Sequence, residues 1–385
     1  MRVGACVFNQ NYNDWDRYEA EERGESVPTH PAKSDREIFA EEIRLARICD
    51  EVGFDALWTI EHHFTPYTMV TNPLQLLTYL AGVTENVDLG TMVVVLPWHN
   101  PVQVAEDAVM LDSLLGDRRL ILGVGRGLGR REFSGLNVDQ NEARGRFDES
   151  VQIVRELLRS GEVREFDGQY YPLKDLKIRP QPEHDLSDLL YCAAGSPETM
   201  EIIAKFGIKP MIVPNTDLET ALAGLHRYVD VREESGFGPV DTRLALWTYC
   251  HEDEDEARAT AEQHIAEYAD TAIRHYELLG DHLKDIKGYE AYGQRSGAMQ
   301  DDRSAFARGI INGHPWGTPD QIIEKTKVLA EAFGTSEITF IFRYGKMPIE
   351  KAQKSIELFS KEVLPAIREL NPAPLQSAKA TATGG

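Results

Sequence analysis

The segment Glu61-His62-His63 places two imidazoles and a carboxylate directly after the apolar run Ala56–Ile60. Histidine takes up and releases protons near neutral pH, and a nearby carboxylate can fix its tautomer, so these groups suit general acid–base catalysis. The apolar run is typical of a parallel strand buried on both faces. We therefore predict an active site at the end of this strand, with Glu61 folding back to set the tautomer of His62.

Two other interpretations of these residues compete with catalysis. A strand cap, in which Glu61 and the two histidines hydrogen-bond to one another without a catalytic role, accounts for these residues equally well. A metal site is disfavoured, because adjacent strand residues point to opposite faces and no HExxH or CxxC spacing occurs in the chain. We predict no metal.

A second candidate stretch, residues 123–129, has four glycines at alternate positions with Arg126 between two of them. The glycines let a planar ligand approach the backbone, and Arg126 offers a bidentate donor to phosphate or carboxylate. A dinucleotide fingerprint is excluded because Leu128 and Arg130 occupy the place of its third glycine. A tight turn carrying a surface arginine is the alternative.

A third candidate is the helix start predicted at Gly195-Ser196-Pro197, with Thr199 in its first turn. Free backbone amides and the positive end of the helix dipole favour phosphate there, and the two hydroxyls add donors. An ordinary helix cap explains the same residues.

Strand-like runs alternate with helical patterns along the whole chain, and this alternation must position the three candidates. We predict eight strands, at 2–8, 56–61, 88–95, 119–125, 188–194, 209–213, 243–250 and 337–343. Four helices are predicted to start at a capping residue followed by proline, at Asn72, Asn100, Ser196 and Thr318, and capping boxes are predicted at Ser34 and Thr216. The pattern indicates an α/β protein, a single (β/α)8 TIM barrel with inserted loops.

Three long excursions interrupt this pattern, at 9–33, 161–187 and 270–317, within a barrel domain that we place at 1–371. The second is expected to contain a hairpin around Asp167 and Gly168. The third is predicted to be a lid, because long loops in compact domains are usually functional or disordered. Residues 372–385 are predicted to form a flexible tail.

The composition of the chain narrows the classes of molecule that it is expected to bind. The 385 residues carry a formal net charge of −22, which argues against nucleic-acid or anionic-membrane surfaces. The N-terminus lacks a signal-peptide pattern and the chain lacks a membrane-spanning run. The four cysteines lie in separate apolar segments, as expected of free thiols in a reducing compartment, so we predict a cytoplasmic protein.

Several motifs between Phe54 and Leu128 occur in one order: EHHFT, TNP, LGTMVVVLP, NPVQVAEDAVMLD and GDRRLILGVGRGL. Together they resemble the bacterial luciferase-like flavin monooxygenases. The resemblance implies a TIM barrel that binds reduced FMN (FMNH2) from a separate NAD(P)H:flavin reductase. It also implies that O2 is a cosubstrate, which forms a flavin C4a-hydroperoxide.

The resemblance also assigns residues. His62 matches the catalytic histidine, and Met92-Val93 matches a non-prolyl cis peptide under the flavin ring. Near the flavin phosphate it places Arg126, Ser196 and Thr199. We add Glu61, His63, Gly125 and Gly195 to the predicted cofactor site. A homodimer, or a heterodimer with a related chain, is expected.

Two departures from bacterial luciferase limit what is carried over. Gly125 stands where luciferase has a reactive cysteine, and Gly195 stands where it has a glutamate, so light emission is not implied. We predict a monooxygenase that hydroxylates, epoxidises or performs Baeyer–Villiger oxidation of a small apolar organic substrate. The predicted pocket is lined by Phe64, Tyr67, Met69, Trp98 and Trp316.

Two alternative functions are kept. An F420-dependent hydride-transfer enzyme of the same superfamily would share the barrel and would need no oxygen. A non-catalytic flavin-binding protein would use the histidines structurally, but it would have little use for a lid that excludes water.

Overall fold

The parallel strands of this chain close into a barrel, seen here in a computed structural model. The structure describes residues 1–194, 197–214, 218–284, 286, 289 and 302–377. The barrel strands are β1 (Arg2–Val7), β2 (Ala56–Thr59), β3 (Asp88–Thr91), β4 (Val94–Val95), β5 (Leu120–Gly125), β8 (Leu190–Ala193), β9 (Lys209–Ile212), β10 (Thr242–Trp247) and β11 (Thr335–Ile341). Pairing of β3 with β5 closes the ring. Since β3 and β4 are two parts of one strand position, the predicted eight-stranded barrel is confirmed.

Helices surround the barrel and connect its strands. They are α1 (Trp15–Glu22), α2 (Asp35–Glu51), α3 (Pro73–Ala81), α4 (Pro101–Leu115), α5 (Arg130–Gly135), α6 (Ala143–Ser160), α7 (Pro197–Lys205), α8 (Leu218–Glu234), α9 (Glu254–His275), α10 (Arg303–Gly313), α11 (Pro319–Phe333), α12 (Ile349–Glu362) and α13 (Leu364–Arg368).

Capping residues start the helices where the sequence predicts them. Asn72 accepts the Gln75 backbone N–H at 3.0 Å, and Asn100 accepts that of Val102 at 2.9 Å. Capping boxes form at Ser34 and at Thr318. These caps satisfy backbone donors that a helix start otherwise leaves without partners. The predicted caps at Ser196 and Thr216 lie outside the described residues.

The third barrel strand is interrupted, which the sequence did not indicate. A continuous strand is predicted over 88–95, but β3 ends at Thr91 and β4 begins at Val94. The Met92–Val93 peptide between them is cis, as the resemblance implies. Val94 and Val95 then pair with Val124 and Gly125, so the strand end is re-aimed toward β5.

The amino-terminal end of the barrel interior is filled by a charged and aromatic cluster. Glu337 of β11 is fully buried; it forms an ion pair with Arg243 of β10 and accepts the indole N–H of Trp58 at 2.9 Å. The Arg243 guanidinium lies 4.4 Å from the centre of the Tyr191 ring. Because side chains fill this end, a ligand must enter from the opposite, carboxyl end of the strands.

The first two excursions contain regular secondary structure rather than loops alone. Residues 9–33 contain α1, whose Trp15 packs in the interior against α9 through Thr271. The segment 161–187 contains the antiparallel hairpin of β6 (Glu162–Phe166) and β7 (Leu173–Lys177), with Asp167 and Gly168 following β6.

The region 270–317 was expected to be one long loop, and that expectation is wrong for its ends. Residues 270–275 form the last turns of α9 and residues 303–313 form α10. Residues 285, 287–288 and 290–301 of the predicted lid lie outside the described residues.

Cys6, Cys49, Cys192 and Cys250 are free thiols, and burial raises the pKa of Cys192 and Cys250 to about 12. None of the described helices is both long enough and apolar enough to cross a membrane.

Candidate active site

A cavity of about 450 Å³ opens at the carboxyl ends of the barrel strands, within the range of about 300–1,000 Å³ typical of ligand sites. Most of its wall is apolar or aromatic and comes from strand ends or the residues that follow them. The lining includes Phe8, Ile60, Tyr67, Met92, Val93, Val95, Trp98, Met211, Trp247, Tyr268 and Ile341. Polar groups enter it at a few points only, among them Glu61, His62, Arg126, Glu132, Thr199 and Tyr276.

His62 lies in this wall and is held by residues from distant parts of the chain. Its Nδ1 is 3.0 Å from Glu132 Oε1 and 3.1 Å from His275 Nε2, while its Nε2 is 3.2 Å from the Tyr276 hydroxyl. The rings of Tyr67 and His62 pack edge to face, with their centres 4.8 Å apart. Both nitrogens of the predicted catalytic histidine therefore have defined partners.

His63 points away from the cavity toward Glu61. The Glu61 carboxylate lies 3.1 Å from His63 Nε2 and 2.6 Å from His99 Nε2, and it accepts the Val95 backbone N–H at 2.7 Å. The prediction that Glu61 sets the tautomer of His62 is wrong, because the Glu61 oxygens contact His63, His99 and the Val95 N–H. Glu132 of α5 contacts His62 instead.

The divergence of the two imidazoles has a different cause from the one expected. Strand β2 ends at Thr59, so His62 and His63 lie in a loop rather than on a strand. The His62 backbone N–H donates to Val70 O at 3.0 Å, and that of His63 donates to Glu132 Oε1 at 2.9 Å. These bonds fix the loop and turn the two rings apart.

Burial and ion pairing set the protonation of both clusters. Burial alone would raise the pKa of Glu132, but contact with His62 and His275 brings it well below its usual range. Burial lowers the pKa of His275 to about 4, which keeps that ring neutral. Burial would also raise the pKa of Glu61, but hydrogen bonds from His63 and His99 lower it, and the pKa of His99 is raised. Two ionised carboxylates thus lie beside the imidazoles.

A group of donors suited to an anion lies in another part of the wall and directly behind it. Arg126 follows β5 directly and is largely buried, and its guanidinium stacks 4.1 Å above the Tyr289 ring centre. Thr199, in the first turn of α7, contacts Arg144 Nη2 at 3.3 Å. Two guanidinium groups and a hydroxyl at a helix N-terminus are the donor types that bind phosphate. Predicted neighbours Gly195 and Ser196 lie outside the described residues.

The glycines of β5 allow close backbone contacts beside the cavity. A Cβ on Gly125 would lie 2.6 Å from Val93 Cγ2, and one on Gly123 would lie 2.1 Å from Thr91 O. Any side chain at Gly125 would therefore collide with the Val93 side chain in the cavity wall. Met92, Val93 and Gly125 form one strip of the cavity wall, and their predicted contact with the flavin stays a prediction.

Three predicted pocket residues do not line the cavity, and the prediction is corrected for them. Phe64 is 51% exposed and packs on Gly135 of α5, because the chain has left the strand before it. Met69 is half-buried, with its N–H bonded to Asn9 O. Trp316 donates its indole N–H to Ile311 O at 2.8 Å, packing against α10. Tyr67 and Trp98 do line the cavity.

The sequence did not point to Glu132, Arg144, His275 or Tyr276. Glu132 lies in the short helix that follows the glycine-rich stretch, and His275 and Tyr276 lie at the end of the amphipathic helix α9. Arg144 is the second residue of α6, and no local pattern marked it. One atom from each of His62, Glu132 and His275 lies within 4.8 Å of the others, a spacing also compatible with a metal ion.

The barrel, with donors suited to an anion and a histidine sharing one cavity, has the arrangement of a TIM-barrel enzyme. The sequence model of the luciferase-like monooxygenases matches residues 17–336. The chain therefore belongs to the luciferase-like monooxygenase family, as predicted.

Characterised relatives span nearly the same length as this chain. The alkanal monooxygenase alpha chain of Photorhabdus laumondii is 28% identical over 358 residues, covering 88% of this chain and 95% of the relative. The oxygenase component of the flavin-dependent trigonelline monooxygenase of Acinetobacter baylyi is 24% identical over 359 residues, covering 88% and 92%. These relatives and the family bear out the predicted enzyme class, a flavin-dependent monooxygenase.

Solved structures agree on the barrel. The monooxygenase RslO1 from Streptomyces bottropensis is 26% identical, with a TM-score of 0.72 over 95% of this chain and 99% of that chain. Two others show the fold alone. An FMN complex of the oxygenating constituent of 3,6-diketocamphane monooxygenase from Pseudomonas putida is 20% identical, with a TM-score of 0.67 over 95% and 98%. An F420-dependent secondary alcohol dehydrogenase is 16% identical, with a TM-score of 0.69 over 96% and 99%.

Proposed function

We propose that this chain is the oxygenase component of a two-component monooxygenase that uses reduced FMN and O2 to oxygenate a small apolar organic substrate. The observation that carries the proposal is one cavity lined both by phosphate-type donors, Arg126 and Thr199, and by His62 among aromatic side chains. The substrate would undergo hydroxylation, epoxidation or Baeyer–Villiger oxidation.

Each part of the cavity has a role in this proposal. Arg126, Arg144 and Thr199 hold the flavin phosphate, and the strip formed by Met92, Val93 and Gly125 supports the ring. Reduced flavin supplies the electrons that activate O2, which is the cofactor's own chemistry.

The rest of the wall serves the substrate and the proton. Aromatic side chains such as Tyr67, Trp98 and Trp247 exclude water and contact an apolar substrate. His62 accepts or donates a proton at Nε2, the ring nitrogen that lies on the side of Tyr276.

The cofactor is tested by comparing reduced FMN with reduced F420. Under anaerobic conditions the protein is titrated with each, and the FMN complex is then mixed with O2 in a stopped-flow spectrometer. We expect tighter binding of reduced FMN and an oxidation time course distinct from that of the free flavin. Tighter binding of reduced F420, with reduced FMN oxidising as it does in buffer, would instead support the hydride-transfer alternative.

Partners follow from the same proposal. The relative described as an oxygenase component supports a separate NAD(P)H:flavin reductase that supplies the reduced flavin. The free thiols support a reducing, cytoplasmic location. Product formation from oxidised FMN and NAD(P)H should require the reductase. Chemically reduced FMN should replace the reductase, and this result would support the proposed partner.

A dimer is also part of the proposal. Helices α3 and α4 pack together and expose Tyr79, Met110 and Leu114, which are 53%, 44% and 59% exposed. Apolar side chains exposed together on neighbouring helices suit a contact with a second copy or a related chain. Sedimentation should show a dimer that Leu114→Asp dissociates. A monomeric wild-type protein would contradict this contact.

A further inference from the structure

The residues behind His62 come from two separate helices and converge on one buried point. Glu132 of α5 and His275 of α9 are both fully buried. His275 Nε2 lies 3.1 Å from His62 Nδ1 and 3.4 Å from Glu132 Oε2. Burying a carboxylate and an imidazole is costly unless each is paired, so their convergence on His62 needs an explanation beyond packing.

The hydrogen bonds assign the protons of this cluster. The Thr65 hydroxyl oxygen lies 2.7 Å from His275 Nδ1 and also accepts the Tyr67 backbone N–H at 3.3 Å. His275 Nε2 lies closer to His62 Nδ1, at 3.1 Å, than to Glu132 Oε2, at 3.4 Å. When His62 Nδ1 carries the proton, His275 Nε2 accepts from it, and the His275 proton lies on Nδ1 toward the Thr65 oxygen. Glu132 Oε1 accepts from the His63 backbone and from His62 Nδ1. Because a carboxylate oxygen can only accept, the contact with Glu132 Oε1 places the His62 proton on Nδ1 and leaves a lone pair on Nε2.

That lone pair faces Tyr276. The Tyr276 hydroxyl is 3.2 Å from His62 Nε2, and Tyr276 and His62 both line the cavity. The phenol can donate to the imidazole while its oxygen stays within reach of a ligand. A short chain of groups thus runs from the cavity through Tyr276 and His62 to the buried carboxylate of Glu132.

We propose, resting on the function proposed above, that Tyr276 is a further catalytic residue and that Glu132 and His275 are positioning residues that hold His62 in its Nδ1–H tautomer. A proton leaving the ligand is taken by the Tyr276 oxygen as the Tyr276 proton passes to His62 Nε2. The imidazolium that forms is stabilised by the Glu132 carboxylate. No electrons are transferred in this step, and its reversal returns the proton to the ligand.

The competing occupant of this cluster is a divalent cation, which two histidines and a carboxylate commonly hold. The observed contacts favour protons. His62 Nδ1 and the His63 N–H both lie at Glu132 Oε1. His275 lies between His62 and the Thr65 hydroxyl, so these bonds form without an added charge.

The tautomer is tested on the protein without flavin, so its outcome does not depend on the proposed function. The protein is labelled with ¹⁵N-histidine, and the His62 signals are identified by their loss in His62→Gln. We expect a protonated Nδ1 and an unprotonated Nε2. Glu132→Gln should give a mixture of tautomers, whereas Glu277→Gln, which removes a carboxylate directed at Arg130, should not. An unprotonated Nδ1 in the wild type, or no change in Glu132→Gln, would overturn the positioning role.

Tyr276→Phe tests the catalytic role while keeping the ring. We expect reduced-FMN affinity within about twofold of wild type and the proton-dependent step slowed about 100-fold, the range for loss of a general acid or base. An unchanged single-turnover rate would remove Tyr276 from the chemistry. If His275→Gln and Glu132→Gln do not fold, the wild-type tautomer decides the positioning role.

The cation is tested separately by titrating the wild-type protein with Zn²⁺ and with Fe²⁺. Stoichiometric, tight binding that is absent in Glu132→Gln would overturn the proton relay and make the cluster a metal site. Weak binding that Glu132→Gln leaves unchanged supports the relay.

Discussion

At the scale of single residues, the candidate site depends on how each side chain is held rather than on which types are present. The sequence singled out Glu61, His62 and His63, but it paired Glu61 with the wrong ring. The partners of His62 are Glu132, 70 residues away, and His275, 213 residues away. No local pattern encodes such long-range contacts, so one sequence could identify the histidine but could not identify the groups that orient it.

Replacing His62 tests its predicted catalytic role. His62→Ala should bind reduced FMN almost normally and turn over about 10²–10⁴ times more slowly, because a proton donor or acceptor is lost. His63→Ala should lose less rate and more stability, since it removes a partner of buried Glu61. Rapid-mixing kinetics on both variants decides. Normal single-turnover product yield and rate in His62→Ala would defeat the assignment.

Replacing Arg126 tests the phosphate site. Arg126→Ala should weaken flavin binding about 10- to 100-fold, which corresponds to the loss of one charge-assisted hydrogen-bonding group. Arg130→Ala is the matched control, because Arg130 is exposed and pairs with Glu277. Equal dissociation constants for Arg126→Ala and the control would remove Arg126 from the cofactor site.

At the scale of elements, the repeated order of strand, cap and helix made the barrel predictable. Asn72, Asn100 and Thr318 each mark a helix start by a local rule that needs no tertiary information. The break in the third strand at Met92–Val93 escaped the pattern of apolar residues, and only the resemblance suggested it. Helix α10, within 270–317, was also missed, because the glycine and polar residues of this region obscure its helical pattern.

The base of the barrel gives a prediction about stability. Glu337→Gln should lower the free energy of unfolding by about 3–5 kcal/mol, because it leaves Arg243 charged and buried without its partner. Glu156→Gln, which breaks an exposed pair with Arg159, should leave that free energy nearly unchanged. Urea unfolding of both variants measures the difference. Equal losses would mean that the buried pair has no special role.

At the scale of the whole molecule, a strongly acidic chain concentrates cations where an anionic cofactor would bind. The net charge is −22, yet Arg126 lies in the cavity wall and Arg144 contacts Thr199 in the first turn of α7. Local donors decide phosphate binding over short distances, since salt screens charges beyond about 8 Å under physiological conditions. The filled amino-terminal end of the barrel leaves the carboxyl end as the route for cofactor, oxygen and substrate.

The central claim is that one cavity holds the flavin phosphate at Arg126, Arg144 and Thr199 and the flavin ring beside His62. A crystal structure of the FMN complex tests it most directly. We expect phosphate oxygens within about 3.2 Å of donors from these three residues, and the ring against Met92–Val93 with His62 facing its edge. A phosphate bound away from Arg126, or a ring outside this cavity, would contradict the account.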